Sequence, residues 1–211
     1  MGAYLGIDTS NYTTSLALYD SGTGAVRMEK KLLPTAPGAL GLRQSDAVFA
    51  HVQQLGELAE KLFASGRPAL SGIGVSISPR RAEGSYMPCF LVGQTSARLL
   101  SAAAGAPLYT FSHQEGHIAA ALYSSGHLEL MGERFIAFHL SGGTTDALLV
   151  EPGEPVFTVT PAARSLDLKA GQAVDRVGLM LGLTFPCGPS LSALAETCHE
   201  PIKVRPTMKG A

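Results

Sequence analysis

Two histidines four residues apart, His113 and His117, sit in "FSHQEGHIAAAL" (residues 111–122), where an apolar helical pattern begins. On a helix, positions i and i+4 share one face about 5–6 Å apart at Cβ, close enough for two imidazoles to hold one metal ion. The same spacing also describes an ordinary helix start with two surface histidines, Glu115 serving as a first-turn charge that suits the helix dipole. A zinc-protease centre is a different pattern. It needs H-E-x-x-H, with the general base directly after the first histidine. Here the order is H-Q-E-G-H, and Glu115 at i+2 points away from the face the histidines share. Two imidazoles leave a metal with open positions; water, or His127 or Glu115 after local rearrangement, could fill one of them.

Three further stretches have chemical potential. In "HLSGGTTDALL" (139–149), Ser141-Gly142-Gly143 between two strands presents backbone N–H groups that can cradle phosphate oxygens, although Gly-Gly is equally a hairpin turn. In "GIDTSNYTTS" (6–15), Asp8 ends a strand and hydroxyls follow, an arrangement that could orient a hydrated cation or phosphate or simply make a polar turn. In "LDLKAGQAVDRVGLMLGL" (166–183), Val174, Val177, Met180 and Leu181 form an apolar stripe with Asp175 beside it, either a ribose partner or a solvated acid. Gly188 in "FPCGP" (185–189) either wraps a ligand or separates two helices.

The elements needed to position these residues can be read from the chain. "AYLGID" and "TTSLALYD" read as a hairpin, "AVRMEKKLL" as a third strand and "PTAPGALG" (34–41) as a loop. From Ser45, the expected N-cap, Val48, Val52, Leu55, Ala59 and Leu62 recur at helical spacing. "IGVSIS" (73–78) predicts a buried strand, 89–103 a helix, "PLYTF" a strand, and then the histidine-bearing helix follows. "RFIAFHL" and "DALLVEP" repeat the hairpin around 134–152, and 167–182 and 188–197 predict helices. Strands alternating with helices indicate an α/β fold. The faint repeat of the hairpin predicts two related lobes, 1–108 and 109–211. One hairpin and two helices are too little to cover a sheet, so the second lobe is expected to be incomplete and the chain a piece of a longer protein.

Composition narrows the class. Of 211 residues, 45% are apolar and 16% charged, and the net charge is −1. These values fit a globular chain and exclude one that holds nucleic acid by bulk charge. Three cysteines (Cys89, Cys187, Cys198) without a C-x-x-C argue against a disulfide scaffold and for a reducing, cytoplasmic setting. No signal-peptide pattern or membrane-length apolar run is present, so no membrane association is expected.

Taken together and in order, GIDTSNYTT, SHQEGH, HLSGGTT, LDLKAGQAVDR and FPCGP resemble the TsaD family, whose usual strings are approximately GIETSCDET, HHMEGH, LVSGGHT, DDAAGEAFDK and YPGGP. The resemblance implies the actin/sugar-kinase/Hsp70 ATPase superfamily fold, with two RNase H-like lobes. It implies one divalent metal, iron or zinc, on His113 and His117. Nucleotide or acyl-adenylate contacts would come from His139, Leu140, Ser141, Gly142, Gly143, Asp175 and Gly188, and Asp8 would be a candidate catalytic residue. The implied activity uses ATP-derived threonylcarbamoyl-AMP, bound in an inter-lobe cleft, and modifies adenosine 37 of tRNA; DNA is not implied. The implied partners are TsaB- or TsaE-like proteins, or a second copy through the first-lobe helices. The chain departs from the family pattern at Asn11, Tyr12 and Thr13, where Cys-Asp-Glu is usual. Thr144 stands for a His, Gln172 for a Glu and Ser192 for an acid, and a bulkier basic loop fills 78–90. These departures leave open a non-catalytic TsaB-like scaffold. A small-molecule kinase of the same superfamily, with Asp146 or Asp175 as its base, is a third reading.

Overall fold

The computed structural model describes residues 1–10, 12–34, 42–200 and 202. The chain divides into two compact units, Met1–Arg134 with Glu151–Val159, and Phe135–Val150 with Thr160–Ala211.

The first unit is built on a five-stranded sheet in the order β3-β2-β1-β4-β5. Strands β1 (Ala3–Asp8), β2 (Thr13–Asp20) and β3 (Val26–Leu32) form an antiparallel meander, in register from Ala3↔Asp20 to Asp8↔Ser15 across the first pair. Strands β4 (Leu70–Ser78) and β5 (Leu108–Ser112) add in parallel beside β1. Parallel neighbours need crossovers, and helices α1 (Gln44–Phe63) and α2 (Phe90–Ala104) provide them. The order 3-2-1-4-5, with this mixture of directions, is that of an RNase H-like lobe of the actin/sugar-kinase/Hsp70 type. The expected lobe boundary at 108/109 falls at the start of β5, inside this unit. Alternation sends Leu5, Ile7, Leu16, Leu18, Ile73 and Val75 to one face, where they pack with Leu58 and Leu62 of α1 and Ala97 of α2. On the other face Tyr19 meets Tyr123 of α3 (His113–Ser125) edge-on, with ring centroids 6.5 Å apart.

Helix α1 departs from expectation at both its start and its face. It begins at Gln44, and its N-cap is Arg43 with no side-chain cap. Ser45 lies in the first turn, its hydroxyl on Asp46. The buried stripe is Ala47, Ala50, His51, Gln54, Leu58 and Leu62, whereas Val52 is 60% exposed. His51 and Gln54 turn inward because Thr14 receives them: its Oγ1 lies 2.8 Å from His51 Nδ1 and donates to Gln54 Oε1 at 2.8 Å. Gln54 Nε2 in turn donates to the Leu32 carbonyl. The Ser10 backbone also acts on the His51 ring and favours its charged form. His51 Nε2 is buried, and among the described residues no hydrogen bond of ordinary geometry reaches it.

Burial lowers the His51 pKa from its ordinary value, outweighing the attraction of Asp8 and the Ser10 backbone. The unfolded chain therefore takes up this proton first as pH falls. The contribution of neutral His51 is complete above about pH 6.5 and is lost below it, at no more than about 1.4 kcal/mol per pH unit. Urea midpoints should fall between pH 7 and 5.5, and His51→Gln should remove that part of the slope.

The other sheet has the order β6-β7-β8. Strand β6 (Phe135–Leu140) pairs antiparallel with β7 (Thr145–Pro152), as the second hairpin predicts. Strand β8 (Phe157–Arg164), which the sequence reading omits, makes a third. Pro161 interrupts its pattern and is tolerated because β8 is an edge strand. Helices α4 (Ala170–Met180) and α5 (Gly188–Glu196) follow. The predicted stripe on α4 is exposed at Val174, Val177, Met180 and Leu181; Gly178 is the buried residue of that helix, set against Cys187. Most of the expected loop at 34–41, and the tail beyond 202, lie outside the described residues.

Candidate metal and nucleotide sites

Both histidines belong to the first two turns of α3. Ser112 and Glu115 start that helix as a capping box, with the Ser112 hydroxyl accepting from the Glu115 N–H and the Glu115 carboxylate from the Ser112 N–H. The S-x-x-E spacing is legible in the sequence and satisfies two otherwise orphaned donors. Glu115 is thus buried and structural. Arg81 donates from Nε to both its carboxylate oxygens at 2.8 and 3.0 Å, and from a terminal nitrogen to the Thr110 carbonyl. The expectation that Glu115 could complete a metal site is corrected by these bonds. His127, the other stand-in, lies on the 3-10 turn Leu128–Gly132 side of the helix, where its Nδ1 meets Glu129 at 2.9 Å.

Arg81 belongs to the basic loop that departs from the family pattern, and it ties that loop to α3. Arg81→Ala should leave the Glu115 carboxylate buried without its cation. A loss of about 1–3 kcal/mol is expected by urea denaturation, with Arg81→Lys intermediate because it keeps charge but not the two-pronged geometry.

His113 and His117 share one face, their ring centroids 4.3 Å apart and their planes inclined at 71°. Asp8, at the end of β1, reaches His113: its Oδ2 lies 2.8 Å from Nδ1. The same oxygen accepts the Ser76 hydroxyl at 2.6 Å, and Oδ1 accepts the Ser10 N–H at 2.8 Å. Burial works to raise the Asp8 pKa. The His113 hydrogen bond and charge, with Ser10 and Ser76, overcome it and hold the carboxyl well below the usual carboxylate range. Next to Asp8, the buried Thr9 donates to the Cys89 carbonyl and accepts the Gly93 N–H, locking β1 to the start of α2. Phe90 stands 6.4 Å from the His113 ring. Asp8, expected as a catalytic residue, accepts three hydrogen bonds beside the histidine pair.

The donor set suits two positions on a cation: two imidazoles on one face, with one ring's other nitrogen on a carboxylate, the usual partner of a metal-bound histidine. Among the described residues no three His, Cys, Asp or Glu side chains form a complete set for a metal.

The second group of predicted residues lies in the second unit. His139 and Leu140 end β6, opposite Asp146 and Thr145 of β7. Between them, the Ser141 Oγ accepts the Gly143 and Thr144 N–H groups at 3.2 and 2.9 Å, so the turn closes on its own serine. The start of α4 sits directly on it. Ala170 N–H donates to Thr145 Oγ1 at 2.7 Å and Gly171 N–H to the Ser141 carbonyl at 3.0 Å. A Cβ at Gly142, Gly143 or Gly188 would meet nothing within 4 Å. Asp175 Oδ1 accepts the Cys187 N–H at 2.9 Å, which fixes the bend before Gly188.

A model of the family described as TsaD, tRNA N6-adenosine threonylcarbamoyltransferase, matches residues 39–210. The chain belongs to the TsaD family. It is 31% identical to a tRNA N6-adenosine threonylcarbamoyltransferase of Thermodesulfovibrio yellowstonii, over 98% of this chain and 60% of that protein. One from Ralstonia pickettii is also 31% identical, over 91% of this chain and 53% of that protein. The chain thus spans between half and two thirds of the length of these TsaD relatives. Among solved structures, YeaZ from Pseudomonas aeruginosa matches with a TM-score of 0.47 and 16% identity, over 78% of this chain and 67% of that one. Among the described residues no helix is long and apolar enough to cross a membrane.

Proposed function

We propose that this chain supplies the metal-holding and nucleotide-holding parts of a TsaD-type transferase, which moves a threonylcarbamoyl group from threonylcarbamoyl-AMP to the N6 amine of adenosine 37 in tRNA. Family membership supports the reaction class. The observation that supports the site is the histidine pair on one face of α3, with Asp8 on the ring of His113. His113 and His117 would hold a divalent cation, iron or zinc, which when bound polarises a carbonyl of the substrate. The glycines support the nucleotide half. Nothing packs where side chains at 142, 143 and 188 would stand, so no steric need for glycine exists within the fold and a ligand's phosphate can approach the backbone closely. Asp175 would act by holding the bend that presents Gly188. Phe49 and Val52 lie exposed on α1, and a TsaB-like partner docking on the first-lobe helices belongs to the same reading.

The test is to load the purified chain with Fe²⁺ or Zn²⁺, measure binding of threonylcarbamoyl-AMP against AMP, and analyse the nucleosides of added unmodified tRNA. Metal-dependent preference for the acyl-adenylate, with threonylcarbamoyladenosine appearing in the tRNA digest, is the expected result. Absence of metal binding, or equal affinity for AMP and the acyl-adenylate, would overturn the reading in favour of a scaffold subunit.

A further inference from the structure

We propose that Asp8 is a positioning residue for His113. Anchored by Ser10 and Ser76, its carboxylate fixes the plane of the ring and holds the ring proton on Nδ1, leaving the lone pair on Nε2. The inference rests on the proposed function only in the purpose it gives that lone pair, which is to bind a metal.

The argument is one of donors and acceptors. An ionised carboxylate only accepts. Ser10 and Ser76 are donors to it, and the contact from His113 Nδ1 at 2.8 Å must therefore also be a donation. In a neutral imidazole one nitrogen donates and the other accepts, so a proton on Nδ1 defines Nε2 as the basic atom. Rotation of the ring is resisted from three sides. Oδ2 sits at Nδ1, the Phe90 ring is edge-on at 6.4 Å, and the His117 ring is edge-on at 4.3 Å. Asp8 is itself held by three hydrogen bonds, from the turn after β1, from β4 and from α3. The carboxylate thus joins elements 68 and 105 residues away in sequence. With Oδ2 taken by two donors and Oδ1 by a third, the oxygen nearest the histidine pair is already committed to the ring and to Ser76. A metal-bound histidine whose second nitrogen is oriented by a carboxylate is a general device, and removing the carboxylate typically weakens metal binding about 10–100-fold.

The deciding experiment needs no metal. Long-range ¹H–¹⁵N spectra of the labelled, metal-free chain at pH 8, with the His113 signal identified by its loss in His113→Gln, should show protonated Nδ1 and bare Nε2. Asp8→Asn leaves one acceptor oxygen, which the fixed Ser10 N–H claims, so its NH2 faces Nδ1 and His113 should shift toward the Nε2–H form. Asp8→Ala should shift His113 toward the Nε2–H form. If Asp8→Ala does not fold, Ser76→Ala is the substitute, with a smaller shift in the same direction. A bare Nδ1 in the unmodified chain, or a tautomer indifferent to Asp8→Ala and Ser76→Ala, would overturn the proposal. In a parallel Co²⁺ titration, Asp8→Ala should bind about 10–100-fold more weakly. Loss of binding in Asp8→Ala as complete as in His113→Gln, rather than about 10–100-fold, would make Asp8 a ligand and overturn the positioning role. If the unmodified chain binds no metal, the functional reading fails, yet the tautomer measurement still decides the role of Asp8.

Discussion

Replacing His113 and His117 together with alanine is expected to take bound iron or zinc from about one equivalent per chain to none, without unfolding the protein. The expected separation of effects follows from where the two side chains stand. His117 is exposed and His113 is one third exposed, so their removal sacrifices little packing. Helix α3 is held by other groups: the Ser112–Glu115 capping box, Arg81 on Glu115, and buried Ile118 and Leu122. Asp8 retains Ser10 and Ser76 when His113 is gone. The single variants should each weaken binding steeply, because one imidazole alone is a poor site and the rest of the coordination would come from water or residues outside the described set. Elemental analysis of chains purified without affinity tag or chelator reads the stoichiometry, and far-UV circular dichroism checks the fold. Full metal content in the double variant would mean that the cation lies elsewhere.

Gly171→Ala is expected to be among the most damaging small substitutions in the second unit. A methyl group in a helix ordinarily gains up to about 1 kcal/mol over glycine. At position 171 the added Cβ would lie 2.5 Å from the Gly142 nitrogen and 2.6 Å from the Ser141 carbonyl carbon. Both are backbone atoms, which cannot swing aside as a flexible side chain can. Helix α4 must then lift from the turn, giving up the Gly171 bond to the Ser141 carbonyl and the Ala170 bond to Thr145 Oγ1. The overpacking cost of about 1–3 kcal/mol plus these bonds exceeds any helical gain. Hydrogen exchange should show lost protection at Gly171 and Ser165, whose amides bond to residues 141 and 145. Gly56→Ala in α1, where nothing lies within 4 Å, is the contrasting case and should stabilise by about 0.5–1 kcal/mol. Equal effects of the two variants would contradict the close approach at the turn.

Both predictions join a local motif to a distant contact, and these two parts differ in how far sequence reveals them. The chain alone determined the hairpins, the crossover helices, the start of the histidine helix and the order of the family motifs. Each of these depends on periodicity and turn chemistry within a few neighbouring residues, such as the 2-residue alternation of β1 and β2 or the i, i+4 spacing of His113 and His117. The histidine pair was legible for that reason. Strand β8 was not, because Pro161 breaks its pattern and only its place at the sheet edge makes that harmless.

The tertiary structure alone decided which polar side chains work together. His51 and Gln54 look like the outer face of α1 until Thr14, 37 and 40 residues earlier, receives them. Glu115 resembles a free first-turn charge until Arg81 closes on it. Asp175 carries no local sign that its Oδ1 will accept the Cys187 N–H, 12 residues on. Asp8 and His113 carry no sign in their own neighbourhoods that they will meet across 105 residues. Hydrogen-bond partners are set by where separate strands and helices end in space, and that position depends on the packing of the whole sheet rather than on any local run of residues.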